Sequence, residues 1–326
     1  MLTYEQFVQK IDQLEEAHLL IAALELDIFT LVGKKKVTAK SLAKAGKYSE
    51  EGIEALLNCL VTLKAMHLKH GRYSNTSEMF KHFSKDSPHY KKGTIMLKGE
   101  DNEEYGRLLG VIRKGRNFKG THEKDDPQRR SLFTHAMHER SQTRAKSVAE
   151  HVASQPVGRL LDLGSGPGSY TAEILKKDKK GQGTLLDRKS ALKVAKEIWG
   201  KTPVWKRVET IPGDLFDTEY GEGFDTILFS NILHIYNPEE NTRLLKKMNK
   251  ALNPGGRVVL LDYFLNDTRT GPQEASMFSL TMLLFTETGK TYTWKESEAL
   301  LKKTGFNKLK RIPLEDDSGL LVGFRK

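Results

Sequence analysis

One short stretch constrains this chain more than any other. Residues 160–170 read LLDLGSGPGSY: an apolar run ends in an acid and a glycine turn, and Ser169-Tyr170-Thr171-Ala172-Glu173-Ile174-Leu175 then continues with helical spacing. Strand, glycine turn and helix open a nucleotide-binding α/β unit, because glycines let the backbone turn tightly beneath a ligand at the helix N-terminus. The dinucleotide fingerprint is G-x-G-x-x-G, whereas Gly164, Gly166 and Gly168 run G-x-G-x-G, one residue short. Asp162, two residues before the first glycine, would repel a pyrophosphate but suits a ligand carrying an ammonium group.

Downstream the elements alternate. GTLLD (183–187) reads as a second strand followed by a helix at 189–199; residues 204–211 read as a third, and FDTILFS (224–230) as a fourth, followed by a helix at 239–252. Pro254-Gly255-Gly256 turns into a fifth strand, RVVLLDYF. Helices near 272–284 and 294–304 precede two closing strands, KLKRIPL and GLLVGFR. This order predicts an α/β fold with a doubly wound, mostly parallel, Rossmann-like sheet and an antiparallel edge strand from the closing hairpin. The segment 131–154 predicts a long helix leading into the glycine turn.

Upstream the pattern is helical. Thr3 and Gln6 form a capping-box pair, and Phe7, Val8, Ile11 and Leu14 make a one-sided stripe. From Ala17 to Leu26 apolar residues cover most of the circumference, which predicts burial, against a second subunit in preference to the chain's own core. Thr38 and Ser49 are expected to cap two short helices, and HLKHGRYSNT a hairpin turning at His70-Gly71. Helix, helix, hairpin is the order of a winged helix. A DNA-reading helix presents cations or amides near its N-terminus, but this one presents Glu50, Glu51 and Glu54.

The net charge of +11 asks the same question of the whole chain. Its lysines and arginines are spread widely, with no stripe interleaved with aromatics, so a solvated basic surface is expected and nucleic-acid binding is not. The single cysteine, Cys59, excludes an intrachain disulfide framework and a cysteine zinc cluster, and no metal is expected. The longest apolar stretch, residues 19–32, is interrupted by Glu25 and Asp27, so no membrane span is expected; MLTYEQFVQK lacks a signal-peptide pattern, so a cytoplasmic location is.

Ligands of open α/β sheets bind beyond the carboxyl ends of the strands. Those ends carry Asp162 with Gly164 and Gly166, then Asp187, Asp214 with Leu215, Ser230 with Asn231 to His234, and Asp262. An acid about twenty residues past the glycine turn, here Asp187, can accept both ribose hydroxyls. Asp214 can accept from an adenine amino group while Leu215 packs on the ring. Each aspartate taken alone reads better as a helix cap. Three in order on successive strands favour adenosine joined to a cationic amino acid.

That combination resembles the class I S-adenosylmethionine-dependent methyltransferases. The resemblance extends over nearly the whole chain to the caffeic acid/hydroxyindole O-methyltransferase family. LELDIFTLV, VTAKSLAKAG and LLNCLVTLKAMHLKHGRYSNT are similar to that family's winged-helix dimerisation domain; FTHAMHERS to the segment before its glycine turn; NILHIYNPEENTRLLKKMNKALNPGGRVVLLD to the stretch with its catalytic histidine; and TGKTYTWKESEALLKKTGF to its pocket-closing segment. The resemblance implies a winged-helix-like dimerisation domain over 1–95, a helical connection with pocket elements over 96–150, and a cofactor-binding catalytic domain over 151–326. It also implies a homodimer and a small, aromatic, hydroxylated acceptor. His234 would be the general base and Asp262 its orienting acid. Ser141 and Ser230 would join the strand-end residues in binding S-adenosylmethionine, and Phe133, Met137, Met277, Met282 and Phe285 would line the acceptor pocket.

Three positions depart from the family pattern: Ile235 where an acid often follows the histidine, Thr291 where a second acid commonly flanks it, and Ser279 where an acid precedes the pocket methionine. They leave the cofactor site untouched and bear on the acceptor and the strength of the base. Three other readings stay open: a relative using the cofactor for decarboxylation, hydroxylation or cyclisation, a cofactor-sensing winged-helix regulator, and, on charge alone, a nucleic-acid methyltransferase.

Overall fold

The computed structural model describes residues 1–91, 93, 95, 105–116 and 127–326. The parts of the expected 96–150 connection at 96–104 and 117–126 lie outside the described residues. The chain divides into two compact units, Met1–Glu103 and Glu104–Lys326.

In the first unit, the helix Tyr4–Glu25 starts on a complete capping box: Thr3 Oγ1 accepts the Gln6 N–H at 3.2 Å, and Gln6 Oε1 accepts the Thr3 N–H at 3.1 Å. The apolar run does not continue as one helix to residue 32. Asp27 takes a left-handed conformation, φ 51°, and a short second helix, Ile28–Val32, follows. Ala23, Leu24, Ile28, Phe29 and Val32 join Leu42, Ile53, Leu57, Leu60 and Met66 in a small core. In the single chain Ala23 and Leu24 are buried, Leu19, Ile21 and Ala22 are partly buried, and Ala17 and Leu20 are exposed, the face expected to meet a second subunit. Leu19, earlier on the first helix, also packs against that core. Helices Ala39–Gly46 and Glu50–Thr62 carry Thr38 and Ser49 as caps. Strands β1 (Met66–Lys69) and β2 (Arg72–Asn75) pair antiparallel, and His70 and Gly71 both have positive φ, as a two-residue hairpin turn matching the strand twist requires.

The second unit holds a seven-stranded sheet of β3 (Arg159–Leu163), β4 (Gln182–Asp187), β5 (Val208–Pro212), β6 (Phe224–Ser230), β7 (Leu252–Tyr263), β8 (Phe306–Pro313) and β9 (Ser318–Arg325), in the order β5-β4-β3-β6-β7-β9-β8. The first five are mutually parallel, and β9 runs antiparallel to both its neighbours. The closing hairpin thus supplies the antiparallel pairing with β9 one place in and β8 outermost. Their residues explain the placement: β9 is almost continuously buried, while β8 after Phe306 is partly or fully exposed. The third strand begins at Val208, not 204, because Pro203 opens a 3₁₀ turn through Arg207.

One sheet face packs on helices Pro238–Ala251 and Trp294–Lys303 through Leu244, Leu245, Met248 and Leu301. The other packs on helices Pro127–Val152 and Ser169–Lys177 through Ala145, Val148, Val152, Ile174 and Leu175. From β3 the chain builds outward through β4 and β5, then returns to build the other way from β6. The switch point lies between β3 and β6, where an open α/β sheet has its crevice. Among the described residues no helix is long and apolar enough to cross a membrane.

Candidate active site

The glycine turn follows β3. Gly164, Gly166 and Gly168 have φ of 66°, 52° and 65°, a region side chains avoid. At Gly164 a Cβ would also stand 2.6 Å from Ile232 Cδ1, so the side chain of Ile232, in the loop after β6, packs directly over the turn. The Gly164 N–H donates to the Leu186 carbonyl at 2.9 Å, and the Gly166 N–H donates to Asp187 Oδ2 at 2.7 Å. The carboxylate ending β4 is therefore also a strut of the turn after β3.

Asp162, in the last part of β3, is fully buried. Thr171 Oγ1 donates to its Oδ2 at 2.7 Å, while Oδ1 has no partner among the described residues. Burial with so little compensation pushes the carboxyl up to about 7, against the Thr171 hydrogen bond and with help from nearby Asp187. Asp187 is raised as well, by burial, opposed by the N–H groups of Gly166 and Arg188.

Asp214 follows β5. Its Oδ2 pairs with Arg188 Nη2 at 2.7 Å, and its Oδ1 accepts the Phe216 N–H at 2.7 Å. Arg188, which the motif reading passed over, thus bridges the ends of β4 and β5. Leu215 is buried and would lie 3.8 Å from a Cβ on Gly164. Ser230, buried, closes β6, and the next residue, Asn231, takes φ 56° to turn the chain. Ser141 is buried in the long helix, where its hydroxyl donates to the His138 carbonyl at 3.0 Å.

His234 sits in a 3₁₀ turn, Leu233–Ile235, and is 7% exposed. Its Nδ1 lies 2.8 and 3.0 Å from the two oxygens of Asp262, and its backbone N–H donates to Asp262 Oδ2 at 3.2 Å. The Tyr263 N–H donates to Asp262 Oδ1 at 2.8 Å. An ionised carboxylate only accepts, so this arrangement puts hydrogen on Nδ1 and leaves the lone pair of a neutral ring on Nε2. Phe278 meets the imidazole edge-on, with centroids 4.6 Å apart and planes at 85°. Phe278 lies in Gln273–Phe285, a helix apolar around most of its girth, so periodicity gives no means of choosing it.

The segment after that helix closes on the histidine turn. A Cβ on Gly289 would stand 2.3 Å from the His234 carbonyl oxygen and 2.7 Å from that of Ile235. Arg116 holds this segment, donating to Thr286 O at 2.9 Å and Gly289 O at 2.5 Å. Thr291 is buried, with no hydrogen-bond partner on its Oγ1 among the described residues. Of the expected pocket residues, Met282 is buried, Met137 and Phe285 are partly buried, and Phe133 and Met277 are 49% and 51% exposed. Phe285 packs against Tyr105 at 6.1 Å between centroids.

The O-methyltransferase domain model matches residues 94–307, and the O-methyltransferase dimerisation domain model matches residues 11–78. The chain belongs to the O-methyltransferase family. It is 24% identical to a 3-hydroxy-5-methyl-1-naphthoate 3-O-methyltransferase of Streptomyces sahachiroi, over 90% of this chain and 86% of that one. It is 27% identical to an L-tyrosine C(3)-methyltransferase of Streptomyces lavendulae, over 88% and 82%. The human N-acetylserotonin methyltransferase, solved in complex with S-adenosylmethionine, shares the fold with a TM-score of 0.85 at 22% identity, over 99% and 97% of the two chains. As a member of the O-methyltransferase family the chain is an S-adenosylmethionine-dependent methyltransferase.

Proposed function

We propose that this O-methyltransferase methylates the hydroxyl of a small aromatic acceptor, with His234 as general base and Asp262 as its orienting carboxylate. The observation that carries the reading is the His234–Asp262 pair: Nδ1 is held by two carboxylate oxygens at 2.8 and 3.0 Å, which aims Nε2 as a proton acceptor. A phenol has a pKa of about 10 and an imidazole one of about 6.5, so a positioned imidazole can take the phenol proton in the transition state. S-adenosylmethionine supplies an electrophilic methyl group on a sulfonium sulfur. The buried Asp162 Oδ1, without a partner among the described residues, suits the cofactor's ammonium, which would compensate the desolvated carboxylate. The backbone of Gly164 and Gly166 would underlie the cofactor's methionine end, with Ser141 and Ser230 as further polar contacts. Asp187 would accept the ribose hydroxyls, with two of its acceptor sites already taken by backbone N–H groups. Asp214 would face the adenine amino group in competition with Arg188, and Leu215 would pack on the ring.

The domain scheme of a 1–95 dimerisation domain, a 96–150 connection and a 151–326 catalytic domain goes with this reading. So does a homodimer, supported by the dimerisation-domain match and by the exposed Phe7, Ile11, Leu14 and Leu20 on the first helix. Light scattering at micromolar concentration should return twice the chain mass. A stable, active monomer would overturn the assembly.

A second reading, methylation at ring carbon, has the L-tyrosine C(3)-methyltransferase likeness in its favour. The same base would serve it, since a phenolate activates the adjacent ring carbon. One experiment addresses both. Labelled S-adenosylmethionine is offered with a panel of phenols, and the site of methylation is read by mass spectrometry and NMR. His234→Gln should bind cofactor like wild type and lose roughly 10²- to 10⁴-fold in turnover, less for phenols that ionise unaided at neutral pH. Near-normal turnover of the variant across the panel would remove the base role.

A further inference from the structure

We infer that Arg144 is a positioning residue that fixes the His234 imidazole through Tyr263 and Phe278. The inference rests on the reading of His234 as the base, and each link has its own geometry. Arg144 lies on the long helix Pro127–Val152. Its Nη2 donates to the Tyr263 hydroxyl at 2.6 Å, and the guanidinium carbon sits 4.9 Å from the Tyr263 ring centroid. Its Nε pairs with Asp316 in the turn between β8 and β9, and Asp316 in turn accepts from the Ser318 hydroxyl at 2.5 Å. The guanidinium is thus planted between a turn and the Tyr263 phenol, with the Tyr170 hydroxyl as a further partner, a hold that a planar fork can make and an ammonium cannot.

Tyr263 touches the site in two ways. Its backbone N–H donates to Asp262 Oδ1, the oxygen nearer to His234 Nδ1. Its ring packs on Phe278, centroids 5.0 Å apart, and Phe278 meets the His234 ring at 4.6 Å. The imidazole is therefore held on its Nδ1 side by Asp262 and backed by a ring whose neighbour is pinned by Arg144. Phe278 sits on a helix beside the expected acceptor pocket, and an edge-on ring contact alone defines its position loosely. The anchored phenol of Tyr263 removes that freedom. A base must stay within hydrogen-bond reach of the proton it takes, and a shift of about 1 Å costs up to 10²-fold.

Tyr263→Phe keeps the ring and removes the anchor; it should lower kcat about tenfold and leave cofactor affinity unchanged. Arg144→Met should do more, and Arg144→Lys, able to satisfy one partner at a time, should recover part of the loss. The decisive readout is independent of turnover. With ¹³C-labelled histidine, the ring resonance of His234, identified by its absence in His234→Gln, should shift in Tyr263→Phe and in Arg144→Met. Asp316→Asn, at a partly exposed turn, carries the same test should Arg144→Met fail to fold. A His234 resonance that stays in place in the folded variants, with unchanged kcat, would overturn the inference even where His234→Gln is inactive. A shifted resonance combined with a fully active His234→Gln would keep the positioning and remove the base.

Discussion

Two aspartates end neighbouring parts of the same sheet and are treated in opposite ways. Asp162 in β3 and Asp262 in β7, with β6 between them, are 0% and 1% exposed. Asp262 receives the backbone N–H groups of His234 and Tyr263 as well as the imidazole. Asp162 receives one hydroxyl and keeps an oxygen with no partner among the described residues. A buried carboxylate needs several donors to stay ionised without cost. The chain itself meets that need at Asp262, whose role on this reading is mechanical. At Asp162 the need is unmet, as suits a carboxylate reserved for a cationic ligand.

The comparison breaks most visibly if the two are exchanged in their effects. Asp262→Asn should lower turnover about a hundredfold, because an amide can turn its NH₂ toward Nδ1 and favour the wrong tautomer, while cofactor affinity stays as it was. Asp162→Asn should weaken cofactor binding about thirtyfold, the loss of a charge-assisted hydrogen bond, with a smaller effect on saturated turnover. Calorimetry and steady-state kinetics on the two variants separate these outcomes. A variant of Asp262 that fails to bind cofactor, or one of Asp162 that binds it normally, would remove the distinction.

Asp162 also makes stability without ligand depend on pH. The Asp162 carboxyl is raised from 3.8 to about 7 in the fold, so between those values the native state holds a proton that the unfolded chain has released. Its contribution is therefore fully present below about pH 4, declines toward pH 7 and is lost above it, a change on the order of 4 kcal/mol at most. Asp162→Asn should lack this decline and be the more stable protein at pH 8, at the expense of cofactor affinity. Denaturant unfolding at pH 4 and pH 8 checks it; parallel curves for wild type and variant would mean that Asp162 is ionised and already satisfied.

Much of this contrast was legible in the sequence, and for a definite reason. A parallel sheet gathers the carboxyl ends of its strands, so Asp162, Asp187, Asp214, His234 and Asp262 fall on one edge once the strands are assigned. The strand Phe224–Ser230 and the helix Lys189–Trp199 have the bounds their patterns predict. What escaped is what depends on side-chain reach. Arg188 and Asp214 are 26 residues apart and meet only because β4 and β5 are neighbours. Phe278 is one apolar residue among many on its helix, and the Arg116 clamp joins segments 170 residues apart. The break at Asp27 has no proline or glycine to announce it. Thr291 was visible as a departure from the family pattern, but its hydroxyl, without a partner among the described residues, was not.

Thr291 gives the smallest predicted effect and sharpens the contrast most narrowly. Like Asp162, it buries an oxygen with no partner among the described residues, on a segment that abuts the His234 turn. Unlike Asp162, it is neutral, so the cost of leaving it unmet is only about 1 kcal/mol or slightly more. Valine has nearly the same shape and no hydroxyl. Thr291→Val should therefore raise stability by about 1 kcal/mol in denaturant unfolding, with turnover changed less than about twofold. In that outcome the hydroxyl is a packing cost, and Asp162 is the only one of the two oxygens reserved for a ligand. A stability gain accompanied by a clear loss of turnover on phenols would instead make Thr291 a second reserved group, one that bonds the acceptor or the ring of His234 when the site is filled.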